Sequence, residues 1–89
     1  MKMYRVSTSR NLKVELLTVN RIHRGTVVYM DRNGTQYKED ITGPYIRWFK
    51  EAHNAQGFIN ECYYKDEKSA RNKQRTLTNM LKDIGGKDD

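Results

Sequence analysis

Cysteine and long apolar runs are nearly absent from this chain, and their scarcity excludes several classes of protein. The one cysteine among 89 residues, Cys62, allows no disulfide within the chain and no thiolate metal cluster. No apolar run approaches the roughly 18 residues of a membrane span, and the start, MKMYRVSTSR, lacks the apolar core of a signal peptide. We therefore expect a protein of a reducing cytoplasm, with no membrane partner, no metal and no cofactor.

Catalytic patterns are equally scarce. The chain has no glycine-rich phosphate loop, and its carboxylates lack the spacing of metal ligands. Nothing in the spacing brings His23, in the turn-like segment RIHRG, within hydrogen-bond reach of His53 as an acid–base pair. Cys62 falls on an apolar stripe seven residues after Ala55, which predicts a buried structural thiol and not a nucleophile. We expect no enzymatic activity.

Positive charge is what the sequence has in excess. The net charge is +6, and the mean hydropathy of -0.98 is low for a folded domain. Residues 1–50 hold ten Lys and Arg against four acids, whereas residues 51–89 hold seven of each. A basic domain of this size is typical of nucleic-acid binding. The alternative is that the charge only keeps the domain soluble, since a net charge of about 2–8 is ordinary for small domains.

The spacing of apolar residues predicts an α+β fold in one domain, 1–84, followed by a flexible tail over 85–89. β-branched and aromatic runs predict a small antiparallel sheet of three or four strands over about 3–41. An apolar stripe then predicts one long helix over about 51–84, because no Pro or Gly interrupts its second half. The stripe fades near 64–66, so two shorter helices are the alternative.

A hairpin turn fixes a register within the predicted sheet. Asn33-Gly34 favours a two-residue type I′ turn, which needs a positive φ at both central residues. With these residues at the tip, Tyr37 faces the core. Tyr29 and Lys38 then stand side by side toward solvent, because side chains alternate between the faces of a strand.

Alternation along the strands groups basic and aromatic side chains on one face of the sheet. We predict that this face binds single-stranded RNA, with bases stacked on rings and phosphates neutralised by cations. The predicted face contains Arg5, Lys13, Arg21, Tyr29 and Lys38, with Arg10, Arg24 and Arg32 at its rim.

The segment KSARNKQRT, at 68–76, predicts a second contact on the helix. Its cations fall near one helical face at steps of three, four and seven residues, and a further lysine precedes them: Lys65, Lys68, Arg71, Arg75 and Lys82. The alternative is a solvated face with Asp66 and Glu67 as local partners.

One conflict accompanies the predicted face. Leu17 and Val19 share the parity of Lys13 and Arg21, although both are apolar. Either this strand is buried on both faces, or a bulge changes its phase, or a protein partner covers the apolar patch. Together with the apolar stripe at 77–84, that patch could also build a homodimer.

The order of the features resembles a class of small basic proteins encoded by tailed phages, most of them uncharacterised. The elements that carry the resemblance are the hairpin at DRNG, the segment YIRWF at 45–49, Ala55, the pair Phe58-Ile59 and a long charged helix that closes the chain. The resemblance covers about 12–84 and contains no catalytic signature.

This resemblance implies the cytoplasm of an infected bacterium as the setting. In size and charge the chain is similar to phage RNA-binding inhibitors of the ribonuclease toxins of toxin–antitoxin systems. The expected function is therefore non-enzymatic RNA binding that counteracts such a host defence. The alternatives are an inhibitor or adaptor that docks directly on a host nuclease, and RNA that bridges this protein to the nuclease.

Overall fold

The computed structural model describes residues 1–85 and contains a five-stranded antiparallel sheet and two helices. The α+β class is confirmed, with one strand more than the sequence indicates. The elements are β1 Lys2–Ser7, β2 Lys13–His23, β3 Thr26–Met30, β4 Gln36–Asp40, β5 Ile46–Phe49, α1 Ala52–Cys62 and α2 Lys68–Ile84. Within the described residues, no helix has the length and apolar character needed to cross a bilayer.

The two ends of the sheet approach each other. The strand order is β4-β3-β2-β1-β5, and β5 lies beyond the range expected for the sheet. Trp48 donates its backbone N–H to the carbonyl of Ile41 at 3.4 Å, and Thr42 and Arg47 form an isolated β-bridge. The chain just after β4 therefore touches β5, and the twisted sheet curls around a small interior.

Apolar side chains pack on both faces of this curled sheet. On one face, strands and both helices contribute a buried set: Val6, Val14, Ala55, Phe58, Ile59, Leu77 and Leu81. On the other face, a second buried set fills the interior of the curl: Met3, Val19, Val27 and Trp48, with Leu17 packed against them. Both apolar surfaces that the sequence offers for a homodimer are therefore used inside the chain.

The long helix predicted over 51–84 is wrong, and the two-helix alternative is confirmed. The chain leaves helical conformation between Cys62 and Lys68. In an unbroken helix, Leu77 would lie about 27 Å from Ile59, given a rise of 1.5 Å per residue. The break folds α2 back along α1, so that both side chains join one core cluster. Burial of this apolar surface outweighs the local preference for a continuous helix.

The predicted hairpin turn at Asn33-Gly34 is also wrong in its geometry. Gly34 has φ +86°, but Asn33 does not have a positive φ. Instead, Asp31 accepts hydrogen bonds through Oδ1 from the backbone N–H groups of Asn33 and Thr35, at 2.8 and 2.9 Å. This carboxylate stabilises a longer loop and moves the register by one residue, so that Tyr29 faces Tyr37.

The two-residue turn lies in the preceding hairpin. Arg24 has φ +49° and Gly25 has φ +78°, while the flanking His23 and Thr26 are paired across β2 and β3. Positive φ at both central residues is the requirement of a type I′ turn. The sequence hides this turn because Arg occupies a position where Asn or Gly is usual.

A bulge in β2 resolves the parity conflict at Leu17 and Val19. Val19 pairs with Tyr29 and Arg21 pairs with Val28, which leaves Asn20 as the extra residue. Side chains after the bulge therefore exchange faces. Val19 points into the curl, whereas Arg21 points to the opposite side of the sheet.

Two smaller predictions concern the ends of the helices. Cys62 is exposed and not buried, because α1 ends at this residue and the chain turns away from the core. Of the expected flexible tail, 86–89 lies outside the described residues. Gly85 follows α2, and its carbonyl accepts a hydrogen bond from the Tyr4 hydroxyl at 3.1 Å.

Candidate nucleic-acid interface

The predicted binding face of the sheet is divided between two sides. Arg5, Lys13 and Tyr29 lie on the side of the curled interior, whereas Arg21 and Lys38 lie on the opposite side, both beside Val28 of β3. The bulge moves Arg21, and the one-residue change of register moves Lys38. The prediction that these five side chains form one surface is therefore wrong.

Arg5 lies at the centre of a charged network within the curl. It donates from Nε and Nη2 to the two carboxylate oxygens of Glu39, at 2.8 and 2.9 Å, and from Nη1 to Glu15 at 3.1 Å. Trp48 donates its indole N–H to Glu39 at 2.9 Å. Two carboxylates thus surround one guanidinium that is only 18% exposed, so Arg5 stabilises the fold and is not available to a phosphate.

This network changes the acid–base properties of its members. The hydrogen bond to Glu39 raises the pKa of Arg5, against the opposing effect of burial. Burial alone would raise the pKa of Glu39, but the hydrogen bonds from Arg5 and Trp48 outweigh it, so that the pKa of Glu39 is lowered. Both groups therefore remain charged at neutral pH.

Tyr29 is a packing residue and not a platform for bases. Its ring stacks on Tyr37 at a centroid distance of 5.4 Å and packs against Trp48 at 4.7 Å. Burial raises the pKa of the Tyr29 hydroxyl. The ring faces used in these contacts are not open to a nucleotide.

The remaining sheet cations are dispersed. Lys13 and Arg32 line a hollow of about 730 Å³ that also contains the carboxylates of Glu15 and Asp31. The Nζ atom of Lys13 lies 3.6 Å from Oε2 of Glu15. Arg24 occupies the first central position of the type I′ turn. Because acids and bases alternate here, this edge of the sheet has no continuous positive surface.

α2 presents a different arrangement of charge. Its 17 residues contain five cations and one acid, Asp83. A groove of about 500 Å³ between α1 and α2 collects part of this charge. Among residues 1–85, the side chains that line it include no carboxylate: Gln56, Arg71, Gln74, Arg75, Thr78, Asn79 and Lys82. We call this surface the α1–α2 groove.

Amide side chains hold the floor of the α1–α2 groove in place. Gln56 donates to Asn60 and to Thr78, both at 2.9 Å, and Gln74 donates to Asn60 at 2.7 Å. Each of these amides crosses or supports the contact between the helices, so the groove exists only because the helix breaks. No local pattern in the sequence indicates that α1 contributes amides to this surface.

The predicted helix cations are only partly brought together. Arg71 and Arg75 line the α1–α2 groove with Lys82, while Lys65 lies in the connection between the helices and Lys68 begins α2. Arg71 approaches Asp66 at 3.4 Å, but the Asp66 side chain is 87% exposed, so this pair is weak.

A second cationic hollow, of about 450 Å³, lies on the other flank of α2. Arg10, at the predicted rim, lines it together with Lys73 and Tyr45, which the sequence analysis did not select.

The described residues contain little that suggests catalysis. His53 lies 3.3 Å from Glu51 at the start of α1, whereas His23 lies beside the β2–β3 turn. Within 1–85, no three His, Cys, Asp or Glu side chains are grouped so that they could hold a metal ion.

No protein-family model, no curated protein and no solved structure matches this chain.

Proposed function

We propose that this chain is a small non-enzymatic protein that binds RNA along the α1–α2 groove. The observation that carries the proposal is the lining of the groove, which among residues 1–85 combines three cations with three amides and one hydroxyl and has no carboxylate. A phosphate backbone favours such a surface, because the cations displace the counterions of the phosphates.

The positions of the cations suit a strand that follows α2. Arg71, Arg75 and Lys82 occupy one face of the helix, and the first and last are about 16 Å apart along its axis at 1.5 Å per residue. Each Arg can donate two parallel hydrogen bonds to a phosphate. Gln74 and Asn79 offer donors and acceptors to base edges or to the ribose 2′-hydroxyl.

The setting that we propose follows from the resemblance to small proteins of tailed phages. In that setting, an RNA-binding protein would counteract a host defence such as a ribonuclease toxin, by holding the RNA that the nuclease attacks or by bridging to the nuclease through RNA.

The test is a titration of fluorescent single-stranded RNA, with duplex DNA as comparator, at several salt concentrations. We expect the logarithm of the association constant to fall linearly with the logarithm of the salt concentration. The slope should be about −2 or steeper, as expected for three cations that contact the phosphates of a single strand. The double variant Arg71→Gln, Arg75→Gln should bind roughly 10- to 100-fold more weakly at low salt, with a slope smaller by about 1.4.

A matched control is the double variant Arg21→Gln, Lys38→Gln, which also lowers the net charge from +6 to +4. Because neither Arg21 nor Lys38 lines the α1–α2 groove, this variant should bind almost as tightly as the wild type. Equal losses in both variants would mean that net charge, and not the groove, drives binding.

Absence of binding to either nucleic acid at low salt would overturn the proposal. Direct docking on a host nuclease would then become the better explanation. Residues 13–17 of β2 pair with β1 but not with β3 in the described structure, so a strand of a partner could pair with that edge.

A further inference from the structure

A second cationic hollow lies on the opposite flank of α2 from the α1–α2 groove. Its volume is about 450 Å³, within the usual range for small-molecule sites. Within the part of the chain that the structure describes, the lining has two cations, two hydroxyls, one aliphatic side chain, one aromatic ring and no carboxylate: Thr8, Ser9, Arg10, Leu12, Tyr45 and Lys73. We call it the Tyr45 hollow.

Tyr45 is exposed although its backbone is firmly held. The side chain is 63% exposed. The Tyr45 carbonyl accepts hydrogen bonds from the backbone N–H of Thr8 at 2.8 Å and from the Thr8 hydroxyl at 3.1 Å. The backbone that carries the ring is therefore held in place, while the ring itself is open to a base that stacks on it.

The charges around Tyr45 differ between its two sides. Arg10 and Lys73 line the hollow on one side, whereas Glu39 and Asp40 line a smaller hollow of about 220 Å³ on the other. Because Glu39 is paired with Arg5, Asp40 is the carboxylate that repels an anionic group from this second side, whereas Arg10 and Lys73 attract it to the first. This asymmetry fits a ligand that combines a flat ring with a phosphate.

We propose that the Tyr45 hollow holds one unpaired nucleotide of the RNA strand, with its base stacked on Tyr45 and its phosphate between Arg10 and Lys73. This inference rests on the proposed function and extends it, because only an unpaired base can leave its neighbours to stack on a protein ring. The site therefore gives the protein its preference for single strands.

The path between the two sites crosses α2. Lys73 follows Arg71 by two residues and so lies about 200° around the helix from it. A strand that leaves the α1–α2 groove must pass over the exposed Asn72 and Thr76, a path of about half the helix circumference, roughly 16–19 Å for a diameter of about 10–12 Å. A continuous strand of a few nucleotides can span this distance, whereas a stiff duplex cannot bend around it.

The experiment compares the affinity for a short fluorescent single-stranded RNA with that for the same sequence as a duplex. The Tyr45→Ala variant should lose roughly tenfold in affinity for the single strand, as expected for one stacked base, and keep its affinity for the duplex. Tyr45→Phe retains the ring and should bind like the wild type. Arg10→Gln with Lys73→Gln should also weaken single-strand binding selectively.

The matched control is Tyr64→Ala, which removes a ring that is 78% exposed but lies outside the hollow; it should change neither affinity. The proposal for the Tyr45 hollow is overturned if wild type and Tyr45→Ala bind the single strand equally, or if Tyr45→Ala loses affinity equally for both probes. Neither result bears on the α1–α2 groove, which the variant Arg71→Gln, Arg75→Gln tests separately. If the wild type binds neither probe, both proposals fall.

Discussion

The interior of the curled sheet and the outer surface of α2 use positive charge in opposite ways. Arg5 in the sheet donates hydrogen bonds to Glu39 and Glu15 at 2.8–3.1 Å, and Trp48 donates to the same Glu39 carboxylate. Arg75 on α2 lines a groove to which the described residues contribute no carboxylate. The charge of Arg5 is therefore neutralised within the fold, whereas Arg75 faces a groove lined by cations and neutral polar groups.

This difference shows why counting cations locates a binding site poorly in this protein. The first half of the chain carries the whole net charge of +6, yet Arg5 is paired with two carboxylates, and Arg21 and Lys38 lie on the opposite side of the sheet from Lys13. The second half is neutral overall, but its acids lie mainly outside α2. The positive charge of the α1–α2 groove comes from cations of α2 that are separated from the acids, and not from the net charge of the second half of the chain.

The largest expected effect concerns the paired cation. Arg5→Met removes the guanidinium that pairs with Glu39 and Glu15 and leaves them only the Trp48 indole N–H and the more distant Lys13. We therefore expect a loss of about 2–4 kcal/mol in the free energy of unfolding, slightly less than for a fully buried pair. Urea denaturation followed by circular dichroism measures this loss. The double variant Arg71→Gln, Arg75→Gln should change stability by less than about 0.5 kcal/mol. Similar losses of stability in Arg5→Met and in the Arg71→Gln, Arg75→Gln variant would show that Arg5 contributes no more to folding than the cations of α2.

The pH dependence of stability tests the ion pair between Arg5 and Glu39 inside the sheet. The pKa of Glu39 is lower in the folded protein than its ordinary value of 4.5, so its ionised form stabilises the fold above that value. This stabilisation should disappear as the pH falls from about 5 through the folded pKa.

We expect Glu39→Gln to make the fall in stability between neutral and acidic pH shallower. It will not abolish the fall, because the backbone N–H of Thr35, together with other bonds in the loop, also lowers the pKa of Asp31. Denaturation series at several pH values test this. A wild-type protein whose stability does not change on acidification would contradict the assignment of Glu39 as the partner of Arg5.

The smallest expected effect concerns Arg24, whose backbone lies in the type I′ turn. Arg24 has φ +49°, a conformation that Asn adopts at lower cost. Arg24→Asn should therefore stabilise the protein by about 0.5–1 kcal/mol and leave RNA affinity nearly unchanged. Thermal melting and the RNA titration measure both effects. A large loss of affinity would show that the cations of the sheet also bind the nucleic acid.

Much of the fold could be predicted from the sequence because it depends on local patterns. The α+β class follows from β-branched runs before residue 41 and from helical apolar spacing after residue 51. The grouping of Arg71, Arg75 and Lys82 follows from the same helical period, which fixes side-chain neighbours within one helix whatever the helix packs against. These three residues line one groove as their spacing predicts.

Tertiary structure decided which sheet residues share a face. In a strand, one extra residue or a register change of one residue moves every later side chain to the other side. Asn20 supplies the extra residue, and the Asp31 carboxylate sets the register of the next hairpin. The parity conflict at Leu17 and Val19 indicates the bulge as one of several explanations, whereas hydrophobic spacing carries no signal of the register change. The prediction that Arg5 and Lys38 share a face is wrong for the second reason.

The break between the helices and the Tyr45 hollow also depended on the whole fold. The amides of α1 reach α2 only because the chain folds back to bury Leu77 in the same core as Ile59. Arg10, Tyr45 and Lys73 are far apart in sequence and meet at one hollow. The sequence by itself determined the amounts of charge and apolar surface and their periods within each element. Long-range pairing and burial decided which cations were neutralised and which remained exposed, because those choices depend on partners distant along the chain.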